Sequence, residues 1–256
     1  MQKKFLISIA TALLLASCGG PTIDPTRGWT ADKLYAEARD EMMGGNYEQA
    51  IKYYESLESR YPFGLYAQQA QIEVAYAYYR YGEAAQALAA VERFLRLHPN
   101  HVRADYMYYL RGLIYLDDRP EFFTQFFDYF TTKDDSQRDL TALQQAYDSF
   151  RQLVIRFPES RYADEARDRM GKLVQAIAQY EVNIANYYFR RGAYNAAVNR
   201  AQEVVKNHQQ TAAVEAALAI MVRSYDAMGM TQLRDDAERV LRLNFPNTTL
   251  IPRSRG

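Results

Sequence analysis

The sequence has a single cysteine, few prolines and glycines, and no excess of either charge. Its 256 residues include 1 Cys, 8 Pro and 12 Gly. One cysteine cannot form an internal disulfide or a cysteine-based metal site. With 31 basic and 31 acidic residues, the chain lacks the positive excess of nucleic-acid-binding proteins, so no nucleic-acid partner is expected. The shortage of turn-forming residues argues against many short strands and favours an all-α fold.

The N-terminal segment predicts a signal peptide that ends at a lipid attachment site. Two lysines precede the apolar run from Phe5 to Leu15, which has the length of a signal-peptide core and falls short of the roughly 20 residues of a membrane span. The residues that follow, Leu-Ala-Ser-Cys, resemble the bacterial lipobox. The resemblance implies removal of residues 1–17 and an N-acyl diacylglyceryl lipid, with acyl chains such as palmitate, on Cys18. No other cofactor is expected. The alternative is an ordinary secretory signal with a chance cysteine.

The segment after the cysteine bears on where the mature chain resides. Loss of the two lysines with the signal leaves 29 of the 31 basic residues against 31 acidic ones. Position 19 is Gly, whereas an Asp there commonly signals inner-membrane retention in lipoproteins of diderm bacteria. We therefore expect the periplasmic face of the outer membrane. Residues 18–30, with Pro21 and Pro25, predict a lipidated flexible tether.

A 37-residue spacing organises the rest of the chain. Glycines recur in two pairs at this spacing, and prolines follow three of the four after seventeen residues: Gly45, Gly82, Gly192 and Gly229, then Pro62, Pro99, Gln209 and Pro246. Glycine can end a first helix in the left-handed conformation, and proline ends a second helix. Ala38 and Ala75, seven residues before their glycines, would let the paired helices approach closely, as would Gly112 in a less regular third unit. These features resemble the tetratricopeptide repeat and predict an α-solenoid of about five helix-turn-helix repeats.

Two intervals exceed this spacing and divide the chain. Pro99 and Pro158 are 59 residues apart, which places an insertion at about 117–139. The second long interval predicts one helix from about Tyr162 to Arg190. The predicted domains are N-terminal repeats 1–3 at 31–160, the long linking helix with repeats 4–5 at 161–246, and a flexible basic tail at 247–256.

No motif indicates catalysis or a resident metal. His98 and His101 form His-x-x-His, which alone is a weak metal signal, and no third ligand cluster is near in sequence. Acidic pairs such as Asp117-Asp118 lie in the insertion, where solvated loop charge is the simpler interpretation. No phosphate loop, nucleophile elbow or zinc-protease motif occurs. We therefore predict no catalytic residue, no metal site and no enzymatic activity.

Aromatic residues concentrate in the insertion. Six fall within nine residues: Phe122, Phe123, Phe126, Phe127, Tyr129 and Phe130. A helical stripe this wide predicts either a cap on the concave face of the first repeats or an apolar wall of a peptide groove. Tyrosines on the first helices, including Tyr106, Tyr108 and Tyr109, support the groove, because tyrosine offers both apolar area and a hydroxyl group. The candidate substrate-binding residues are Phe123, Phe127, Tyr79 and Tyr76.

Together these features resemble the BamD (ComL) family, the tetratricopeptide-repeat lipoproteins of the outer-membrane β-barrel assembly machinery. The blocks that carry the resemblance are Glu-Ser-Leu-Glu-Ser-Arg-Tyr-Pro at 55–62, Arg-Gly-Ala-Tyr at 191–194 and Ala-Ala-Val-Asn-Arg at 196–200. The resemblance implies a lipid-anchored periplasmic scaffold of the Bam complex, which promotes protein insertion into the outer membrane. The implied partners are the periplasmic domains of BamA on the C-terminal repeats, other Bam lipoproteins, and unfolded outer-membrane β-barrel proteins on the N-terminal repeats.

Arg200 is the first candidate contact with BamA. It borders the apolar stripe of a helix predicted from about Ala193 to Lys206, so its stem would lie on apolar surface and its guanidinium would point at a neighbour. The alternative is a snorkelling side chain or an internal pair with Glu203. The family resemblance favours the partner contact, with Arg191 and Tyr194 as further candidates. On this hypothesis, Arg200→Ala weakens BamA co-purification and leaves thermal stability nearly unchanged.

Two other classes remain open on the sequence alone. One is a different periplasmic repeat scaffold, such as an adaptor in envelope division or a peptidoglycan-associated adaptor. The other is an envelope enzyme. Recovery of a β-barrel assembly subunit in a pull-down would favour the family prediction over the other scaffold, whereas the enzyme alternative would require loss of hydrolysis when the acidic pairs are mutated.

Overall fold

The computed structural model describes residues 24–116 and 136–251. Within these ranges the chain forms ten α-helices and no strand, which confirms the all-α prediction. The helices are α1 Ala31–Met43, α2 Tyr47–Arg60, α3 Leu65–Tyr81, α4 Ala84–Leu97, α5 Ala104–Tyr115, α6 Ser136–Arg156, α7 Ala163–Arg190, α8 Tyr194–Asn207, α9 Ala213–Ala227 and α10 Thr231–Asn244. Three predicted site residues, Cys18, Phe123 and Phe127, lie outside the described residues.

The repeat turns occur where the 37-residue spacing places them. The backbone φ angle is positive at all four glycines: 81° at Gly45, 92° at Gly82, 74° at Gly192 and 70° at Gly229. At the second of these, the N–H of Glu83 donates to the carbonyl of Tyr78 at 2.9 Å, which closes the end of α3. The partner positions, Pro62, Pro99, Gln209 and Pro246, each follow the last helical residue by two.

Small residues at the predicted contact positions allow close packing of the helices. Ala38, Ala75 and Ala185 are fully buried. Gly112 on α5 faces the ring of Phe150 on α6, and a Cβ atom added to it would lie 2.5 Å from that ring. Glycine at this position is therefore a packing requirement of the α5–α6 pair.

The long helix is present as predicted. The helix α7 spans 28 residues and continues through Gly171 without a break. It packs against α6, α8 and α9. Within the described ranges, no helix is both long and apolar enough to cross a bilayer.

The chain forms two compact units, one up to Ala70 and one from Gln71 onward. In the first unit, α1 and α2 pack through buried side chains that include Leu34, Tyr54 and Leu57. The C-terminal part of the second unit has a core built from α7 to α10, and Ile251 packs into it with only 5% of its surface exposed. Within the segment predicted as a flexible tail, Ile251 is thus packed against this core, whereas Asn247, Thr249 and Leu250 are exposed.

The described end of the predicted tether is also packed. Arg60 donates to the carbonyl of Thr26 at 2.7 Å and to its hydroxyl at 2.6 Å, and it forms an ion pair with Asp24. The ring of Trp29 lies 5.5 Å from that of Tyr53. Residues 24–30 are therefore held on α2 and are not part of a free linker.

Candidate partner-binding surfaces

Arg200 on α8 reaches a buried carboxylate on α7. Its guanidinium lies 3.3 Å and 3.4 Å from the two carboxylate oxygens of Glu181. The Glu181 side chain is 6% exposed, whereas that of Arg200 is 41% exposed. The internal partner is therefore Glu181, and the alternative pairing with Glu203 is wrong. Arg200 both satisfies this buried acid and presents its remaining donors to solvent.

Burial dominates the electrostatics of Glu181. Loss of hydration raises the pKa of its carboxyl group above the ordinary value, and the nearby Arg200 guanidinium only partly opposes this. The like charge of Glu203 raises the pKa further, while His208 opposes it. The carboxylate thus depends on Arg200 for its charge to be tolerated.

Sequence reasoning missed Glu181, although a signal was present. Glu181 lies on the apolar stripe of α7 with Ala178, Val182 and Ala185, all of which are buried. A carboxylate at such a position requires a partner on the facing helix. The helical spacing of α7 could therefore have indicated that Glu181 needs a polar or cationic partner, although not which residue supplies it.

Arg191 and Tyr194 lie elsewhere, at the turn between α7 and α8. The guanidinium of Arg191 lies 5.2 Å from the ring centroid of Tyr187, and the ring of Tyr194 lies 5.5 Å from that of Phe189. The guanidinium of Arg223 on α9 lies over the ring of Phe189, 4.9 Å from its centroid. This turn therefore presents an aromatic and guanidinium surface.

The three predicted BamA contacts fall into two places. Tyr194 and Arg200 are six residues apart on α8, which separates them by about 120° around the helix axis. Arg191 and Tyr194 share the turn, and Arg200 instead contacts Glu181 in the middle of α7. A partner that contacts all three residues would have to reach around α8.

Tyr76 and Tyr79, the described substrate candidates, are neighbours on α3. Their ring centroids are 6.4 Å apart, and both side chains are half-buried. Tyr106 of α5 lies near Tyr76. Burial is the main cause that raises the pKa of the Tyr106 hydroxyl, and Glu73 and Tyr76 raise it further. The Tyr106 ring lies 5.7 Å from that of Tyr162. These four residues, Tyr76, Tyr79, Tyr106 and Tyr162, are called the tyrosine cluster below.

Arginines cover several rings of the tyrosine cluster. Arg80 lies over Tyr76 at 5.8 Å and donates to its hydroxyl at 2.8 Å. Arg103 lies over Tyr106 at 5.2 Å, and Arg161 lies over Tyr162 at 4.7 Å. Aromatic faces beside guanidinium groups can bind an aromatic side chain and a carboxylate together.

Two of the tyrosines expected to support a groove belong to the core. Tyr108 is 6% exposed and Tyr109 is 9% exposed. Tyr109 stacks on Tyr162 with centroids 4.7 Å apart, and burial followed by a hydrogen bond with Glu165 raises its pKa. These two side chains stabilise α5 against its neighbours and do not present a binding surface. Tyr162 was not among the predicted binding residues, because it lies just before the long helix and does not match any position of the 37-residue spacing.

The histidine pair belongs to a repeat turn. The Nε2 atom of His98 lies 3.0 Å from the Oε1 atom of Gln71, and the backbone N–H of Arg103 donates to Nδ1 of His101 at 3.0 Å. Both imidazoles pack on the ring of Phe94. Burial lowers the pKa of His101, assisted by His98 and Arg103. Among the described residues, no three His, Cys, Asp or Glu side chains are grouped as a metal site would require.

Comparison with known proteins identifies the family. The family model YfiO, described as outer membrane lipoprotein, matches residues 28–240. A protein named outer membrane protein assembly factor BamD from Neisseria meningitidis serogroup A (strain Z2491) is 44% identical, over 98% of this chain and 94% of its own length. The protein of the same name from Vibrio cholerae is 35% identical over 92% of this chain and 95% of its own length. Among solved structures, the crystal structure of MamA protein is 15% identical, covers 87% of this chain and 98% of its own, and has a TM-score of 0.32. The chain belongs to the YfiO family of outer membrane lipoproteins and is a relative of the BamD assembly factors, which confirms the family resemblance in its sequence.

Proposed function

We propose that the protein is an outer membrane protein assembly factor, a lipid-anchored scaffold on the periplasmic face of the outer membrane. The observation that carries the proposal is the 44% identity, over nearly the whole chain, to a protein of that name. In this proposal Cys18 bears the lipid, and the partners are BamA, other Bam lipoproteins and unfolded β-barrel proteins. The role is one of binding and positioning.

The proposed BamA surface comprises Arg200 and the turn that holds Arg191 and Tyr194. Contact with Glu181 orients the Arg200 guanidinium, so a partner carboxylate would meet a donor group that is already positioned. Arginine and tyrosine are also the residue types most often found at the energetic centre of protein interfaces. Loss of the Arg200 guanidinium would leave the charge of the partner unpaired.

Co-purification of BamA with affinity-tagged variants from detergent-solubilised membranes tests this surface. Arg200→Ala alone is ambiguous, because it also removes the partner of Glu181. The informative variant is Arg200→Ala combined with Glu181→Gln, which removes the guanidinium without leaving a buried charge. We expect at least about a tenfold loss of BamA recovery with both variants. Arg239, at 76% side-chain exposure on α10, provides the matched control Arg239→Ala.

Two outcomes would count against the proposed surface. Wild-type recovery of BamA with the double variant would exclude Arg200 from the interface. An equal loss with Arg239→Ala would show that general surface charge, and not this position, is responsible. Failure of the wild-type protein to recover any assembly subunit would reject the function itself.

The tyrosine cluster is the proposed site for the aromatic ends of unfolded barrel proteins. Its half-buried rings beside Arg80, Arg103 and Arg161 suit an aromatic side chain that carries a neighbouring carboxylate. Phe123 and Phe127 remain predictions for the same site.

Photo-crosslinking tests the tyrosine cluster. With a photoreactive phenylalanine analogue at Tyr79, we expect capture of peptides that end in Phe and little capture of matched peptides that end in Ala. The same analogue at Val102, which is 83% exposed, is the control for proximity alone. Equal capture of both peptides at Tyr79 would show that the cluster is structural.

A further inference from the structure

The connection between α2 and α3, together with the first two residues of α3, exposes an uncharged segment rich in aromatic side chains. Residues 61–66 read Tyr-Pro-Phe-Gly-Leu-Tyr, and all six are exposed. Phe63 is 90% exposed and Leu65 is 76% exposed. Gly64 between them has a φ angle of 99°, which favours glycine and places the two apolar side chains on a tight turn. Two strongly exposed apolar side chains this close together in the chain indicate an interaction surface. This segment is called the 61–66 loop.

The 61–66 loop lies beside the point where the described chain begins. Arg60, the last residue of α2, binds the Thr26 backbone and forms an ion pair with Asp24. The hydroxyl of Tyr61 donates to the backbone carbonyl of Trp29 at 2.9 Å. The N-terminal strap from Asp24 to Trp29 is therefore fastened to the base of the loop.

The length of chain upstream of Asp24 limits how far the loop can lie from the lipid anchor. Asp24 follows Cys18 by six positions in the chain. A fully extended chain rises at most about 3.6 Å per residue, so these residues span at most about 22 Å. This step rests on the proposed lipid attachment at Cys18. With that anchor in the bilayer, the fastened base of the loop stays within a short distance of the membrane surface.

We propose that the 61–66 loop is a membrane contact, in which Phe63 and Leu65 insert among the phospholipids of the periplasmic leaflet of the outer membrane. The composition fits a bilayer interface: two apolar side chains at the tip, a tyrosine at either end, and no charge within the loop. Arg60, the charged residue that directly precedes the loop in the sequence, is engaged by Asp24 and Thr26. The lipid anchor supplies attachment, and the loop adds a second point of contact that fixes the orientation of the first compact unit.

An environment-sensitive label at the loop tip tests the proposal. In the lipidated protein the thiol of Cys18 is blocked, so Phe63→Cys can be labelled selectively with a nitrobenzoxadiazole fluorophore. On vesicles of phosphatidylethanolamine and phosphatidylglycerol, we expect blue-shifted, brighter emission that lipids spin-labelled in the acyl chain quench. The same label at Val102→Cys, a position equally exposed in solution, should remain in water.

A second preparation separates the loop from the anchor. A chain from residue 19 with an N-terminal hexahistidine tag can be held on the same vesicles by a nickel-chelating lipid. The label at position 63 should respond there as well, and Phe63→Ser combined with Leu65→Ser should weaken vesicle binding roughly tenfold. The control, Val102→Ser combined with Leu243→Ser, replaces residues of 83% and 81% exposure and should bind normally.

Each outcome decides one of the two claims. If the full-length protein does not float with vesicles but the tagged chain shows the position-63 response, the anchor fails and the loop contact stands. If protein is bound in both preparations and the label at position 63 stays in water, the loop contact is rejected and the anchor stands. Two responses of the label in the absence of vesicles would reject the membrane contact. A response to added aromatic-ended peptide would assign the loop to peptide binding, and a response at high protein concentration would assign it to a second copy of the chain.

Discussion

Arg200 lies half-exposed on α8 with its guanidinium against the buried carboxylate of Glu181. A carboxylate in this environment loses hydration, and the charge-assisted hydrogen bonds to Arg200 replace part of it. Arg200 therefore stabilises the buried Glu181 carboxylate in addition to its proposed contact with BamA. We therefore expect its replacement to lower stability, whereas the sequence alone led us to expect nearly unchanged stability.

We expect Arg200→Ala to reduce the free energy of unfolding by roughly 1–2 kcal/mol, because it leaves the Glu181 carboxylate buried and unpaired. The value lies below that of a fully buried pair because the arginine is partly solvated. Addition of Glu181→Gln should restore most of the loss. Urea unfolding followed by circular dichroism measures both variants. Equal destabilisation of single and double variants would show that the pair contributes nothing.

The pH dependence of stability gives a second prediction for Glu181. Folding raises the pKa of this carboxyl group above its ordinary value of 4.5, so its protonated form is favoured by folding. That contribution is present below the ordinary pKa and is lost as the pH rises through the folded value. Glu181→Gln keeps the neutral state at all pH values. The free energy of unfolding of the variant should equal that of the wild type at about pH 4 and should be higher than that of the wild type at about pH 7.

Thermal or urea unfolding at both pH values checks this expectation. The comparison of variant with wild type removes the contribution of all other carboxyl groups. Glu203 and His208 act on Glu181 in opposite directions: the like charge of Glu203 raises the pKa of the carboxyl group, and His208 lowers it. A variant that is less stable than the wild type at about pH 7 would show that the pair with Arg200 outweighs burial.

At the scale of helices, two glycines that look alike in sequence have opposite roles. Gly112 in α5 faces Phe150, which is fully buried on α6, with no room for a Cβ atom. Gly171 in α7 has no atom within 4 Å of the corresponding position. Both have ordinary helical backbone, so the difference arises from the neighbouring helix alone.

We expect the same substitution to have opposite signs at these positions. Gly112→Ala should destabilise the protein by about 1–3 kcal/mol, because the Phe150 ring must move within a packed core. Gly171→Ala should stabilise it by about 0.5–1 kcal/mol through helix propensity. Differential scanning calorimetry measures both. Stabilisation by both substitutions would mean that the Phe150 ring moves without cost.

At the scale of the whole molecule, the proposed lipid on Cys18 would hold the protein at the outer membrane. We expect Cys18→Ala to abolish lipid attachment and to move the protein out of the outer-membrane fraction, because no described helix can replace the anchor. Membrane fractionation and mass spectrometry of the intact protein measure the two effects. An unmodified Cys18 in the membrane-bound wild type would contradict this prediction. Cys18→Ser serves as the conservative control and should behave like Cys18→Ala.

The repeat architecture was determined by the sequence because it depends on local backbone physics. The left-handed turn at Gly82 and the helix end before Pro99 follow from the allowed dihedral angles of glycine and proline, which no distant contact has to supply. The length of α7 follows from the absence of proline between Ala163 and Arg190, and Gly171 within it has no positive φ angle. The family assignment rests on the same regularities together with the N-terminal segment.

The partners of individual side chains were decided only by tertiary structure. Whether Arg200 meets Glu203 on its own helix or Glu181 on the neighbouring one depends on the rotation of α7 against α8, which the packing of small side chains such as Ala185 and Ala197 fixes. The burial of Tyr109 was likewise decided by its stacking on Tyr162, which is 53 positions away in the chain. Helical period specifies which residues share a face, but the facing residues come from another helix, and only the folded chain brings them together.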